Sequence, residues 1–142
     1  MTIHQLSIFI ENRSGTLIKV LQILKQSDIQ IVASTIADTA EYGIYRLICS
    51  EPIRAYEELK KGGVAVALSN VFALELNDEP GRCADAVETF SKAGISIAYM
   101  YTFLLGGKGI MVFRTDNSEA AEKVILDNKL TYIQEPDLSK LV

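Results

Sequence analysis

An internal repeat at a fixed offset limits what this chain can fold into more than any other feature. The stretch Ile10-Glu11-Asn12-Arg13-Ser14-Gly15-Thr16-Leu17 ends an alternating apolar run and opens a helical one. It returns as Leu76-Asn77-Asp78-Glu79-Pro80-Gly81-Arg82-Cys83. The two glycines are 81 − 15 = 66 positions apart. At that offset Ile29 meets Ile95, Ile31 meets Ile97, Gly43 meets Gly109, Ile44 meets Ile110 and Ala55 meets Ala121, with no gap. An ungapped repeat of this kind means one structural unit built twice. The expected division is 1–69 and 70–142, with only Ser69-Asn70 between the halves and no flexible linker. Halves of roughly 70 residues are near the lower limit for a self-sufficient core. The 49% hydrophobic content is enough to give each a packed face.

The period of the apolar residues supplies the elements. Leu6, Ile8 and Ile10 alternate with Gln5, Ser7 and Phe9, which predicts a strand, and Phe72, Leu74 and Leu76 repeat it. After the loop, with Ser14 as its N-cap, the period turns helical. Leu17, Val20, Leu21 and Leu24 fall on one face, as do Cys83, Ala86, Val87 and Phe90. Ser27-Asp28 and Ala93-Gly94 end these helices, Gly94 suiting a left-handed cap. Second strands follow at Gln30 to Ala37 and Ser96 to Leu105. Turns at Asp38 to Tyr42 and Gly106 to Lys108 lead to third strands at Gly43 to Cys49 and Gly109 to Thr115. Pro52 opens one further helix, where its missing N–H costs nothing, and Asp116-Asn117-Ser118 opens its counterpart. Fourth strands at Val64 to Leu68 and Leu130 to Ile133 close the halves, and Glu135-Pro136-Asp137 starts a short helical turn. Each half therefore reads β-α-β-β-α-β. With right-handed crossovers the fold class is α+β: two tandem ferredoxin-like units, each an antiparallel sheet with its helices on one face.

The element order, the size and a loop of the form Asn-x-(Pro/Ser)-Gly-x-Leu together resemble the ACT domain, a small-molecule sensor of amino-acid metabolism. Glu11 to Leu17 is similar to the loop in the ACT domain of phosphoglycerate dehydrogenase, and Asp78-Glu79-Pro80-Gly81 to the commoner family form. The resemblance implies a non-catalytic regulatory protein that binds a free amino acid where two ACT units meet, the loop of one facing the second strand of the other. It places the ligand on Asn12, Arg13, Ser14, Gly15, Thr16 and Leu17, and on Asp78, Glu79, Pro80, Gly81, Arg82 and Cys83. Gln30 stands where serine sensors carry a second amide. Ile10 stands where they carry a histidine, which argues for a more apolar pocket. The residues suit this role: the glycines leave the backbone open to a ligand, and the helix N-terminus behind each offers N–H groups to a carboxylate. With Asn12 and Arg13 in place of Asp78 and Glu79, the first loop is the one expected to hold a carboxylate more strongly.

Plainer readings stand beside these. Turn chemistry alone explains glycine and proline in both loops. Cys83 matches Leu17 in the repeat and reads as a core thiol. Gly106-Gly107-Lys108-Gly109 joins two strands and reads as a hairpin turn, not a phosphate loop. Tyr99-Met100-Tyr101-Thr102-Phe103-Leu104-Leu105 is apolar on both faces of what should be an edge strand. Either the protein's own helices and tail cover it, or it pairs with another unit's second strand and brings Tyr99 and Tyr101 to the ligand. The second reading implies self-association as a homodimer. The alternative function is a regulatory subunit or interaction protein docking on an amino-acid biosynthetic enzyme, with ligand sites lost or secondary. No catalytic constellation, metal-ligand spacing or cofactor motif is visible. The net charge of −4 argues against nucleic acid and anionic membrane as partners. No apolar run is long enough to span a bilayer and no basic leader precedes an apolar segment, so the expected location is cytoplasmic.

Overall fold

The computed structural model describes every residue except Asn12, Thr39, Ala40, Ser139, Leu141 and Val142. The elements in chain order are β1 (Ile3–Glu11), α1 (Thr16–Gln26), β2 (Ile31–Asp38), β3 (Tyr42–Cys49), α2 (Pro52–Lys61), β4 (Val66–Leu76), α3 (Arg82–Lys92), β5 (Ile97–Leu105), β6 (Lys108–Thr115), α4 (Ser118–Asp127) and α5 (Glu135–Leu138). Two compact units emerge. The N-terminal unit holds His4–Ser69, and the C-terminal unit holds Asn70–Asp137 together with Met1–Ile3.

In the N-terminal unit the strand order is β2-β3-β1-β4. β3 pairs antiparallel with β1, Leu6 opposite Leu47 and Ile10 opposite Gly43, and with β2, Ile36 opposite Tyr45. Phe9 N–H donates to Ala65 O at 3.0 Å on the other side of β1. Every second residue of β1 and β3 turns toward the helices. Leu6, Ile8, Ile10, Tyr45, Leu47 and Cys49 thereby close a core with Val20 and Leu24 of α1 and Ala55 and Leu59 of α2. The C-terminal unit repeats this plan: β6 pairs antiparallel with β4 and β5, and Phe72, Leu74, Met111 and Phe113 pack on Ala86, Phe90, Ala121 and Ile125. Each unit is thus a ferredoxin-like arrangement with both helices on one sheet face.

Three local expectations change. Gly15 rather than Ser14 is the N-cap of α1. Its φ of 95° is left-handed, so helical geometry begins at Thr16, and Gly15 O accepts the first helical bond, from Lys19 N–H at 3.2 Å. The expected strand at Leu130 to Ile133 is a single bridge, Tyr132 opposite Leu74. Glu75 N–H to Thr131 O and Ile133 N–H to Ala73 O, both 2.8 Å, are its ladder bonds before the chain turns into α5. The strands expected on either side of Ser69 and Asn70 are one continuous strand, β4, whose two parts belong to different units. Neither Ser69 nor Asn70 is a glycine or proline, so nothing there interrupts extended backbone. The turn expected at Asp38 to Tyr42 includes Thr39 and Ala40, outside the described residues. Gly106 and Gly107, at φ 58° and 79°, form the two-residue turn between Leu105 and Lys108, as a hairpin requires.

Candidate functional site

The same loop opens the first helix of each unit, and in both it leaves the helix end without a side-chain cap. α1 follows Gly15 at φ 95° and α3 follows Gly81 at φ 87°. By contrast, Asn117 caps α4 by accepting from Ala120 N–H at 3.0 Å. At the start of α3 Arg82 N–H donates to Glu79 O at 3.4 Å, and both helix starts carry the positive dipole end common to every helix N-terminus.

The loops hold their shape by different means. In the N-terminal unit Thr16 Oγ1 donates to Glu11 O at 2.8 Å and Arg13 O at 3.0 Å. Arg13 pairs with the Glu11 carboxylate at 2.9 Å. In the C-terminal unit arginine replaces this threonine. Arg82 donates from Nε and Nη2 to Glu79 Oε2 at 3.1 and 2.9 Å, and from Nη1 to Asp85 Oδ2 at 2.9 Å. The bond to Glu79 and the charges of both acids raise the arginine pKa, so the loop is fastened to α3 by a permanent cation.

A cavity adjoins each loop. The N-terminal one, about 400 Å³, is lined by Ile10, Glu11, Arg13, Ser14, Thr16, Leu17, Ile36 and Gly43. Shifted by the repeat offset, Ile10, Glu11, Arg13, Thr16, Leu17, Ile36 and Gly43 become Leu76, Asn77, Glu79, Arg82, Cys83, Thr102 and Gly109. All of these line the C-terminal cavity of about 300 Å³, with Asp78, Phe103, Leu104 and Ile110. The offset that organises the sequence therefore also organises the concave surface. Volumes of this size suit a small ligand. Cys83 is half-buried on the wall and its Sγ donates to Met111 Sδ at 3.9 Å beneath it. A second pair of hollows, between the same helices and the far edge of β1 or β4, also obeys the offset: Lys19, Gly63 and Val64 line one, and Asp85, Lys129 and Leu130 the other.

The structure gathers Arg13, Ser14, Thr16 and Leu17 on one wall, and Asp78, Glu79, Arg82 and Cys83 on the other. Gly15, Pro80 and Gly81 shape the loops without lining either cavity. Asn12 lies outside the described residues. Gln30 precedes β2, its backbone N–H donating to Ser50 Oγ at 3.1 Å, and it is off the cavity. β5 contributes Thr102, Phe103 and Leu104 to its own unit's wall, whereas Tyr99 and Tyr101 stand further along the strand. Ile36, Gly43, Thr102, Leu104 and Gly109 were not singled out as site residues from the sequence. The signal was present in part, because Gly43 and Gly109 are identical at the repeat offset and sit in strands, where glycine marks close approach.

The family profile of the ACT domain pair matches residues 1–142. The chain belongs to the ACT domain pair family. This ACT pair is similar to protein BT0572 from Bacteroides thetaiotaomicron, at 35% identity over 99% of this chain and 98% of that one, with a TM-score of 0.94. It shares its fold with the ligand-free regulatory subunit of aspartate kinase from Thermus thermophilus, at 16% identity, 87% and 91% coverage and a TM-score of 0.61. The regulatory subunit of aspartate kinase from Thermus flavus gives a TM-score of 0.57 at 16% identity, covering 87% of this chain and 90% of that one. No curated protein matches the chain. Among the described residues, no group of histidine, cysteine, aspartate and glutamate is arranged to hold a metal ion, and no helix is long and apolar enough to cross a membrane.

Proposed function

We propose that this ACT pair is a non-catalytic regulatory protein that senses a free amino acid at the loop cavities. The observation that carries the reading is an uncapped helix N-terminus opening beside a cavity, built twice. The ligand carboxylate lies on the N–H groups at the start of α1 or α3. Charge-assisted bonds of that kind contribute about 1.5–3 kcal/mol each. The ammonium group meets the acidic side chains of the loop. β2 and β5 are edge strands with the exposed apolar residues Ile36 and Leu104 beside the cavities. That supports a homodimer in which an edge strand of a second copy closes the site and brings Tyr99 and Tyr101 near it. A cytoplasmic location accords with this role.

Thermal-shift measurement against the free amino acids tests the proposal, since a ligand of the folded state raises the midpoint by mass action. Calorimetry on Gly15→Asp and Gly81→Asp then locates the site. Aspartate tolerates left-handed backbone better than most residues, and its carboxylate competes for the same N–H groups. Affinity should fall about ten- to a hundredfold in the unit that binds. Unchanged affinity in both variants, with the fold intact by circular dichroism, rules out this binding mode. The same exposed edges favour a second reading, a subunit docking on an amino-acid biosynthetic enzyme. Capture of such an enzyme by a chain that responds to no amino acid would favour it.

A further inference from the structure

The two loop cavities differ most on their strand side. Leu76, Gly109 and Leu104 lie opposite one another on β4, β6 and β5, so their Cβ positions share one sheet face. The matching row in the N-terminal unit is Ile10, Gly43 and Asp38. An aspartate therefore stands where the C-terminal unit has a leucine.

The central glycine is not required by the backbone in either unit, because neither Gly43 nor Gly109 has positive φ. At Gly43 a Cβ would meet Ile36 Cγ2 at 3.3 Å, so a side chain already covers that glycine. At Gly109 a Cβ would meet only Leu76, its O at 3.4 Å and its Cβ at 3.7 Å, both ordinary contacts. Alanine fits there, so the missing side chain leaves space in the cavity instead of relieving a clash. Leu104 on its rim is 64% exposed. The charged groups of this cavity, Asp78, Glu79 and Arg82, all stand on the loop and the first turn of α3.

The geometry points to the C-terminal cavity as a site selective for an amino acid with an apolar side chain, branched aliphatic or thioether, laid over the backbone of Gly109 between Leu76 and Leu104. This rests on the amino-acid reading above. It assigns the charged ends of the ligand to the loop and its side chain to the strands. The N-terminal loop, despite its amide and cation, then lacks the floor for such a side chain.

Calorimetry on the full chain with leucine, isoleucine, valine, methionine, serine, aspartate and lysine tests it. The apolar amino acids should bind, with the charged and small polar ones at least tenfold weaker, the scale at which an apolar pocket discriminates. Gly109→Ala and Leu104→Asp should each weaken the best apolar ligand about tenfold, and Gly43→Ala should weaken it less. Preference for a charged or small polar amino acid overturns the inference while leaving amino-acid sensing intact. So does loss of affinity in Gly43→Ala without loss in Gly109→Ala. If Leu104→Asp changes only the mass in light scattering, Leu104 serves contact between copies and the inference fails. Absence of binding by every free amino acid overturns the sensing reading and this one with it. Leu104→Asp alters an exposed position, so it decides the matter even if Gly109→Ala fails to fold.

Discussion

The two units fill the same core positions with different side chains. Leu6, Leu24 and Leu47 of the N-terminal unit correspond to Phe72, Phe90 and Phe113 of the C-terminal one, and all six are buried. The Phe113 ring meets Phe90 at 4.9 Å and Phe72 at 5.5 Å between centroids. Space for three rings comes from neighbours that shrink: Val20 corresponds to Ala86, and Tyr45 to Met111. Cores accept such exchanges when total volume and pattern are kept. The β-α-β-β-α-β plan therefore depends on which positions are apolar, and the choice of apolar residue is settled locally among neighbours.

The core is where this comparison is most easily broken. Phe90→Ala should cost about 3–5 kcal/mol in urea unfolding, the usual range for emptying a buried aromatic site. The mirror exchange, Leu24→Phe, should cost about 1–3 kcal/mol by overpacking, and adding Val20→Ala should return part of it. A neutral Leu24→Phe would show that Val20 and Ala86 do not compensate for ring size. A smaller effect is expected where β3 and β6 end. Cys49 is buried there in one unit and Thr115 in the other, and Thr115 Oγ1 has no hydrogen-bond partner among the described residues. Thr115→Val should raise stability by about 1 kcal/mol, because it removes an unsatisfied buried hydroxyl; a drop in the melting temperature would contradict that account. The smallest effect sharpens the comparison of helix ends. After α2 the left-handed position is Gly63, at φ 79°, and after α4 it is Lys129, at φ 51°. Lys129→Gly should stabilise by about 0.5–1 kcal/mol, the relief of left-handed strain less the added entropy of the unfolded chain. Differential scanning calorimetry reads this as an upward shift, and no shift would mean the strain is already relieved locally.

Much of the fold was legible because apolar period and repeat phase are carried by neighbouring residues. Leu17 to Leu24 and Cys83 to Phe90 announce their helices, whereas the start of α1 reads as Ser14 and falls one residue later, at Gly15. The strand at Leu130 to Ile133 was less legible: its side chains read as a strand, but the pairing ends when the chain turns at Glu135. The loop half of the candidate site was visible for the same local reason. The strand half was not. Ile36 and Gly43, or Thr102 and Gly109, meet the loop only because β3 or β6 lies between the strand before the loop and the following edge strand.

Neighbouring residues thus dictate two copies of one topology, the apolar faces of α1 and α3, and the side of each strand that faces helices. Those properties follow from backbone dihedral preference and from periods of 2.0 and 3.6 residues, which act over a few neighbours. The tertiary structure alone decided that Gly109 lies bare while Ile36 covers Gly43, and that Leu104 rather than Tyr101 edges the cavity. Such outcomes depend on sheet register, which brings residues dozens of positions apart onto one row and assigns each a neighbour.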